Sequence, residues 1–226
     1  MSQLRMNEFQ KAAAAKEWYK ETLAARVIKS LEKNNMTACY VKTREAALKK
    51  ALSLIPKGCK VAHGGSLTLE EMGLLDTLRK RKKEYRFIDR RVPNLTDDDV
   101  ERLRNESLLA DVFLSSTNAL TMDGKLVNID GQGNRVAALL YGPKKVIIIA
   151  GINKIVPDQE AAMYRIQNYV TPVHGKRRDH TFPCTKVGYC VDCHTTQRAC
   201  KLVTIIEQQR QKDRITVIIC GEELGI

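Results

Sequence analysis

The chain has 226 residues, 43 % of them apolar, enough for one α/β domain that buries its own core without disulfides. Its 38 Lys and Arg against 26 Asp and Glu leave a net charge of +12, and its few aromatic residues (5 % in all) offer no stacking platform for single-stranded nucleic acid. The segment MSQLRMNEFQKAAAAKEWYK has no continuous apolar run, so it reads as neither a secretory signal nor a membrane span, and the chain is expected in the cytoplasm, where lasting disulfides are disfavoured.

In chain order, residues 7–34 read as a long helix with Phe9, Tyr19, Leu23, Val27 and Leu31 on one stripe and Asn34-Asn35 at its end. ACYV (38–41) is a short strand, followed by an amphipathic helix through Ala46, Ala47, Leu48, Ala51 and Leu52 that stops before Pro56. VAHGG (61–65) is a strand entering a glycine turn, and a helix opens with Thr68 as its cap. YRFID (85–89) is a strand, and Thr96 before three aspartates caps the next helix. ADVFLSS (110–116) is a strand, ALTMDGKLVNI (119–129) a hairpin about Asp123-Gly124, and a helix follows DGQGN. KVIIIAG (145–151) is apolar on both faces, the mark of a central parallel strand. Pro157 is placed at the first position of another helix, about 170–200 is left as a long irregular segment, and KLVTIIE and RITVIIC close the chain as strands. Alternating strands and helices predict a three-layer α/β/α sandwich with a mostly parallel sheet: residues 1–34 an N-terminal helix packing on it, residues 35–226 a single domain.

The charge is concentrated. Segment 78–91 carries eight Lys/Arg against two acids and segment 172–201 six against two, so the two supply +6 and +4. This points to an anionic partner, although charge runs also simply face water. Nothing resembles a recognition helix, which disfavours nucleic acid.

Three constellations carry chemistry. In GGSLT, Gly64 and Gly65 permit a tight turn whose free N–H groups, with the hydroxyls of Ser66 and Thr68, suit a phosphate or carboxylate. In 115–135, Thr117, Asn118, Asn128, Asp130, Gly131, Gly133 and Asn134 fall near the carboxyl ends of strands, where open α/β sheets bind ligands. Asn128 and Asp130 are the candidate catalytic pair; Asp111, where its strand begins, is a further candidate acid/base, and Asp123 is a turn residue. Finally, PCTKVGYCVDCHTTQRAC places Cys184, Cys190, Cys193 and Cys200 within eighteen residues. The chain's seven cysteines cannot all pair, and close soft ligands in a reducing compartment point to a metal. The gaps match neither a zinc ribbon nor a bacterial ferredoxin run. An iron–sulfur cluster of the 4Fe-4S type is the preferred occupant and zinc the alternative, with His174, His180 and His194 as substitute ligands. Nearby basic residues are expected to lower the thiol pKa values.

The segments HGGSLTLEEMGLLDTL, ADVFLSSTNALTMDGKLVNIDGQGNRVAALLYGPKKVIIIAGINKIV, the cysteine loop and the ending ITVIICGEELGI together resemble the LUD-domain family, the lactate-utilisation group of LutC/YkgG-like proteins, in its short stand-alone form. The resemblance covers roughly residues 10–226. It implies a NagB/RpiA/CoA-transferase-like fold, a role beside iron–sulfur oxidoreductase subunits in lactate oxidation, and a small anionic metabolite (a hydroxy acid or a phosphorylated compound) at the sheet edge. The alternatives are an isomerase- or transferase-like enzyme with structural zinc, or a non-enzymatic subunit. A homo-oligomer is compatible with all of these.

Overall fold

The computed structural model describes residues 7–226; the first six residues of the expected N-terminal segment lie outside it. Helix α1 (Glu8–Lys33) opens on a capping box in which the Asn7 side chain accepts from the Gln10 N–H and Gln10 returns the bond. Only its second half is anchored: Ala24, Val27 and Leu31 are buried, while Phe9 and Tyr19 of the expected stripe stand in solvent together with Trp18. The apolar period continues past the point where the domain ends, so the stripe has nothing to cover there.

The elements that follow are β1 (Thr37–Val41), α2 (Arg44–Ser53), β2 (Lys60–His63), α3 (Leu67–Glu71), α4 (Leu74–Lys80), β3 (Arg86–Ile88), α5 (Asp97–Ser107) and β4 (Val112–Ser115). Then come the hairpin β5 (Ala119–Thr121) and β6 (Leu126–Asp130), α6 (Asn134–Leu140), β7 (Lys145–Gly151), β8 (Ile155–Val156) and α7 (Gln159–Arg165). The chain closes with α8 (Thr171–Arg177), α9 (Pro183–Val187), β9 (Leu202–Ile206) and β10 (Ile215–Cys220).

Six strands form one wholly parallel sheet in the order β1-β10-β7-β4-β2-β3. Its centre explains the apolar run of β7. Val146, Ile148 and Ala150 face the core shared with α1 and α6, whereas Ile147 and Ile149 face the core shared with α2, α3 and α4. A strand covered by helices on both faces has no wet side, so its alternation is invisible in the sequence. The chain enters at one edge, jumps to β2, steps outward to β3, then returns to the other side of β2 for β4. That reversal opens a crevice above the carboxyl ends of β2 and β4.

A second sheet, β8-β5-β6-β9, roofs that end of the first. β9 pairs antiparallel with β6, so the two closing strands belong to different sheets. Three local expectations shift. The cap of α3 is Ser66, whose hydroxyl accepts from Leu69 N–H, and Thr68 is instead buried inside the first turn. The cap of α7 is Asp158, not a helix begun by Pro157: its carboxylate takes the Ala161 N–H, a bond Pro157 has no side-chain oxygen to make. Segment 170–200 is not wholly irregular either; α7 runs through one π-helical stretch (Ile166–Val170) into α8, and α9 follows at Pro183. Among the described residues no helix is long and apolar enough to cross a membrane.

Candidate functional site

The glycine turn after β2, the Ser116–Asn118 segment after β4 and the Asp130–Asn134 turn before α6 meet over the crevice. Gly64 sits where the Arg135 side chain passes: a Cβ there would lie 3.1 Å from Arg135 Cγ and 3.2 Å from Ser115 Oγ. A side chain at that position would need Arg135 and Ser115 to give way by a few tenths of an ångström. Behind the turn, buried His63 places Nδ1 2.9 Å from the Gly64 carbonyl, with its Nε2 3.6 Å from Asp89. Arg79 Nε donates to Asp89 at 2.6 Å. Burial opposes ionisation of Asp89, but His63, Arg79 and the Arg91 N–H outweigh it and hold the carboxyl well below the usual range.

Arg135 is the hub of the site. It donates to Asp130 Oδ2 at 3.1 Å, Asn128 Oδ1 at 3.1 Å, Asn118 Oδ1 at 3.2 Å and the Ile129 carbonyl at 2.6 Å. Asp130 also accepts from the N–H groups of Gln132 and Gly133, at 3.1 and 3.2 Å. Burial works against its charge, but Arg135 and those N–H groups prevail and lower its pKa. Asp130 and Asn128 are thus both engaged in holding Arg135 and the turn. Thr117 is buried, its hydroxyl 2.9 Å from the Ala119 carbonyl. Asn118, Gly131 and Asn134 line the open cavity beside Arg135, as does Gly65. Asp111 lies at the amino end of the sheet, where it accepts from Lys60 N–H at 2.9 Å and Lys144 Nζ at 3.0 Å, away from the other candidates.

The cavity has a volume of about 650 Å³, ample for a metabolite. Its wall is basic. Arg90 and Arg91 come from the segment after β3, Arg104 from α5 and Arg135 from α6; Arg177 and Arg178 end α8, and Arg198 and Lys201 belong to the cysteine loop. Asp130 is the one carboxylate among the lining residues. Of the cations, Arg91 pairs with Glu70, Arg104 with Glu101 at 3.1 Å and Arg198 with Asp192 at 3.2 Å. Six of these eight cations lie in the two basic segments legible in the sequence, 78–91 and 172–201; Arg104 and Arg135 lie outside both, and their joining the same wall depends on the fold.

The cysteine loop forms the adjoining wall. Cys184, Cys190, Cys193 and Cys200 line one small recess, and Thr171, Phe182, Arg198, Ala199 and Cys200 line both that recess and the basic cavity. All seven cysteines are free thiols. Arg198 staples the loop by donating to the carbonyls of Cys193 at 2.6 Å and Cys200 at 2.8 Å. The Asp192 N–H points at Cys190 Sγ, 3.4 Å away, and the Thr171 hydroxyl lies 3.5 Å from Cys200 Sγ. The expected lowering of thiol pKa is reversed at two positions. Burial pushes Cys184 up, reinforced by the neighbouring thiols; burial likewise raises Cys200 against the pull of Thr171 and Arg198. Among the described residues no three His, Cys, Asp or Glu side chains are drawn together as a single metal ion requires.

A model of the LUD domain matches residues 24–220. A crystal structure of a DUF162 family protein from Deinococcus radiodurans aligns with a TM-score of 0.50 at 12 % identity, over 89 % of this chain and 98 % of that one. The translation initiation factor eIF-2B of Pyrococcus horikoshii OT3 aligns at 0.34 and 20 % identity, over 50 % of this chain and 47 % of that one. The eIF2B delta of Chaetomium thermophilum aligns at 0.36 and 17 % identity, over 72 % and 61 %. No curated protein matches the sequence.

Proposed function

From the premise that the chain belongs to the LUD-domain family, we propose that it is a lactate-utilisation-type protein that holds an iron–sulfur cluster on Cys184, Cys190, Cys193 and Cys200 and takes a small anionic metabolite, a hydroxy acid or a phosphorylated compound, in the neighbouring basic cavity. The observation that carries this reading is the shared wall: Cys200 and Arg198 line the thiol recess and the cavity at once. An anion seated on the arginines is thereby next to the thiols.

The donor set is all thiol, as a cluster takes, and the two occupants differ in how far apart they hold the sulfurs. A tetrahedral zinc site, with Zn–S near 2.3 Å, needs sulfurs within about 4 Å of one another. A cubane spreads its thiolates over four irons, and four cysteines line the one recess here. The N–H aimed at Cys190 Sγ is the kind of hydrogen bond that stabilises a metal-bound thiolate. Metal binding also answers the raised pKa values of Cys184 and Cys200, since it replaces the proton that burial favours. When bound, the cluster would supply redox chemistry or an electrophilic iron. The protein's own contribution is to seat the anion on Arg135 and its neighbours, and to hold Cys200 against Thr171.

The test is oxygen-free purification followed by iron and acid-labile sulfide assay and an EPR spectrum. Iron and sulfide in equal amounts, lost in Cys190→Ser and Cys193→Ser, are expected. Colourless protein with stoichiometric zinc would overturn the cluster and leave the isomerase-like reading with a structural metal.

A further inference from the structure

The central strand β7 ends at Gly151 and passes into a single turn, Ile152–Lys154. This turn delivers Lys154 beneath the Gly64–Ser66 turn, at the carboxyl end of the sheet. Lys154 is 4 % exposed. Its Nζ lies 3.0 Å from Thr68 Oγ1, 3.0 Å from Ser116 Oγ and 3.4 Å from the Thr117 carbonyl oxygen, all neutral groups. The same side chain lines a recess of about 70 Å³ that joins the basic cavity through Gly65, Asn118, Arg135 and His174. That is room for the head of a small ligand whose body occupies the larger space. Nothing in anion capture or thiol chemistry uses this amine.

A lysine buried without a carboxylate partner stays there most cheaply as the free amine. Desolvation, then the charges of Arg165 and Arg135, push its pKa down to about 7, with Glu71 a weak opposing influence. A desolvated lysine beside other cations is the arrangement that makes an amine nucleophilic at neutral pH. No acid bonds to it here; its partners are two hydroxyls and a carbonyl oxygen.

We propose that Lys154 forms a covalent imine with a small oxo-anion, an aldehyde or ketone adjacent to a carboxylate or phosphate, whose anionic group rests on Arg135 and Arg177. The inference rests on the cavity being an anion site and is independent of any metal. The Nζ lone pair adds to the carbonyl carbon while the C–O π pair moves to oxygen. That oxygen then leaves as water with both amine protons, and the C=N bond replaces C=O with no change of oxidation state. The hydroxyls of Thr68 and Ser116, already bonded to Nζ, are placed to relay those protons.

The experiment uses the full chain at pH 7 with glyoxylate and cyanoborohydride, followed by peptide mass mapping. Reductive trapping is expected to place a carboxymethyl group on Lys154 roughly tenfold or more faster than on exposed lysines such as Lys82, which stand in water. Acetaldehyde, which lacks the carboxylate, labels Lys154 more slowly, and inorganic phosphate slows the glyoxylate reaction. An unmodified Lys154 among labelled surface lysines overturns the proposal, as do equal rates with acetaldehyde. Lys154→Met removes the site-specific label; if that variant does not fold, the wild-type map decides alone. Iron and sulfide content measured on the same sample separates failure here from failure of the cluster.

Discussion

Arg135 shows how one side chain organises a site without being readable as part of one. Its guanidinium satisfies Asn118, Asn128 and Asp130 simultaneously and still lines the cavity. Arg135→Ala removes a charged donor from any bound anion and leaves Asn118, Asn128, Asp130 and the Ile129 carbonyl short of a donor, so affinity for an anion such as glycolate is expected to fall about tenfold to a hundredfold, measured by calorimetry. Arg135→Lys keeps the charge but cannot span three acceptors, and should fall between the two. Lys154 makes a pH prediction. Its pKa in the folded chain is about 7, below the ordinary lysine value of 10.5, so the unfolded chain binds more protons between those values. Stability therefore rises as pH climbs from 7 towards 10.5 and is lost again as pH falls through 7. The slope is at most about 1.4 kcal/mol per pH unit. Urea unfolding of wild type and Lys154→Met at pH 7 and 9 checks this: the difference between them should shift with pH. The groups that face the amine, Arg135 on α6, Arg165 on α7, Glu71 on α3 and His174 and Arg177 on α8, belong to four different helices.

The turns at strand ends were legible as elements, because glycine, asparagine and aspartate in DGQGN announce a bend before a helix. Their roles were not. Asp130, the candidate acid/base, sits where the chain bends so that its carboxylate accepts the N–H groups of the turn it begins. Gly133 occupies φ 96° at the start of α6, and a Cβ there would lie 2.9 Å from Leu202 Cδ1 on β9. Gly133→Ala is expected to cost roughly 1–3 kcal/mol, from left-handed backbone strain and that contact together. For a chain of this size this lowers the melting temperature by about 2–4 °C per kcal/mol, as calorimetry would show. The cysteine loop was legible through spacing alone. Its helices α8 and α9 were not; Pro172 sits in the first turn of α8 and Gly188, at φ 86°, ends α9.

At the scale of the molecule, the parallel sheet holds everything else in place. Ile147 is fully buried on β7, between strands β4 and β10. Ile147→Ala should destabilise the domain by about 2–5 kcal/mol in denaturant unfolding, with an unchanged dependence on denaturant concentration. The exposed half of α1 carries no such burden, because Phe9, Trp18 and Tyr19 meet solvent there. The second sheet, which places the Asp130 turn and the cysteine loop against the carboxyl end of the first, joins β6 to β9 across some seventy residues of chain.

What the order of amino acids settled by itself was the alternation of strands and helices, the buried central strand, the family and the gathering of four thiols in one loop. These are local, carried by hydrophobic period, turn chemistry and short spacing. What the tertiary structure alone decided was the company each group keeps. Arg135 meets Asn118, Lys154 meets Thr68, and Cys200 meets the arginine cavity across tens of residues, and sequence separation carries no record of which ends of a sheet are adjacent. The chemistry of a buried charge depends on its neighbours, so it exists only once the chain has folded.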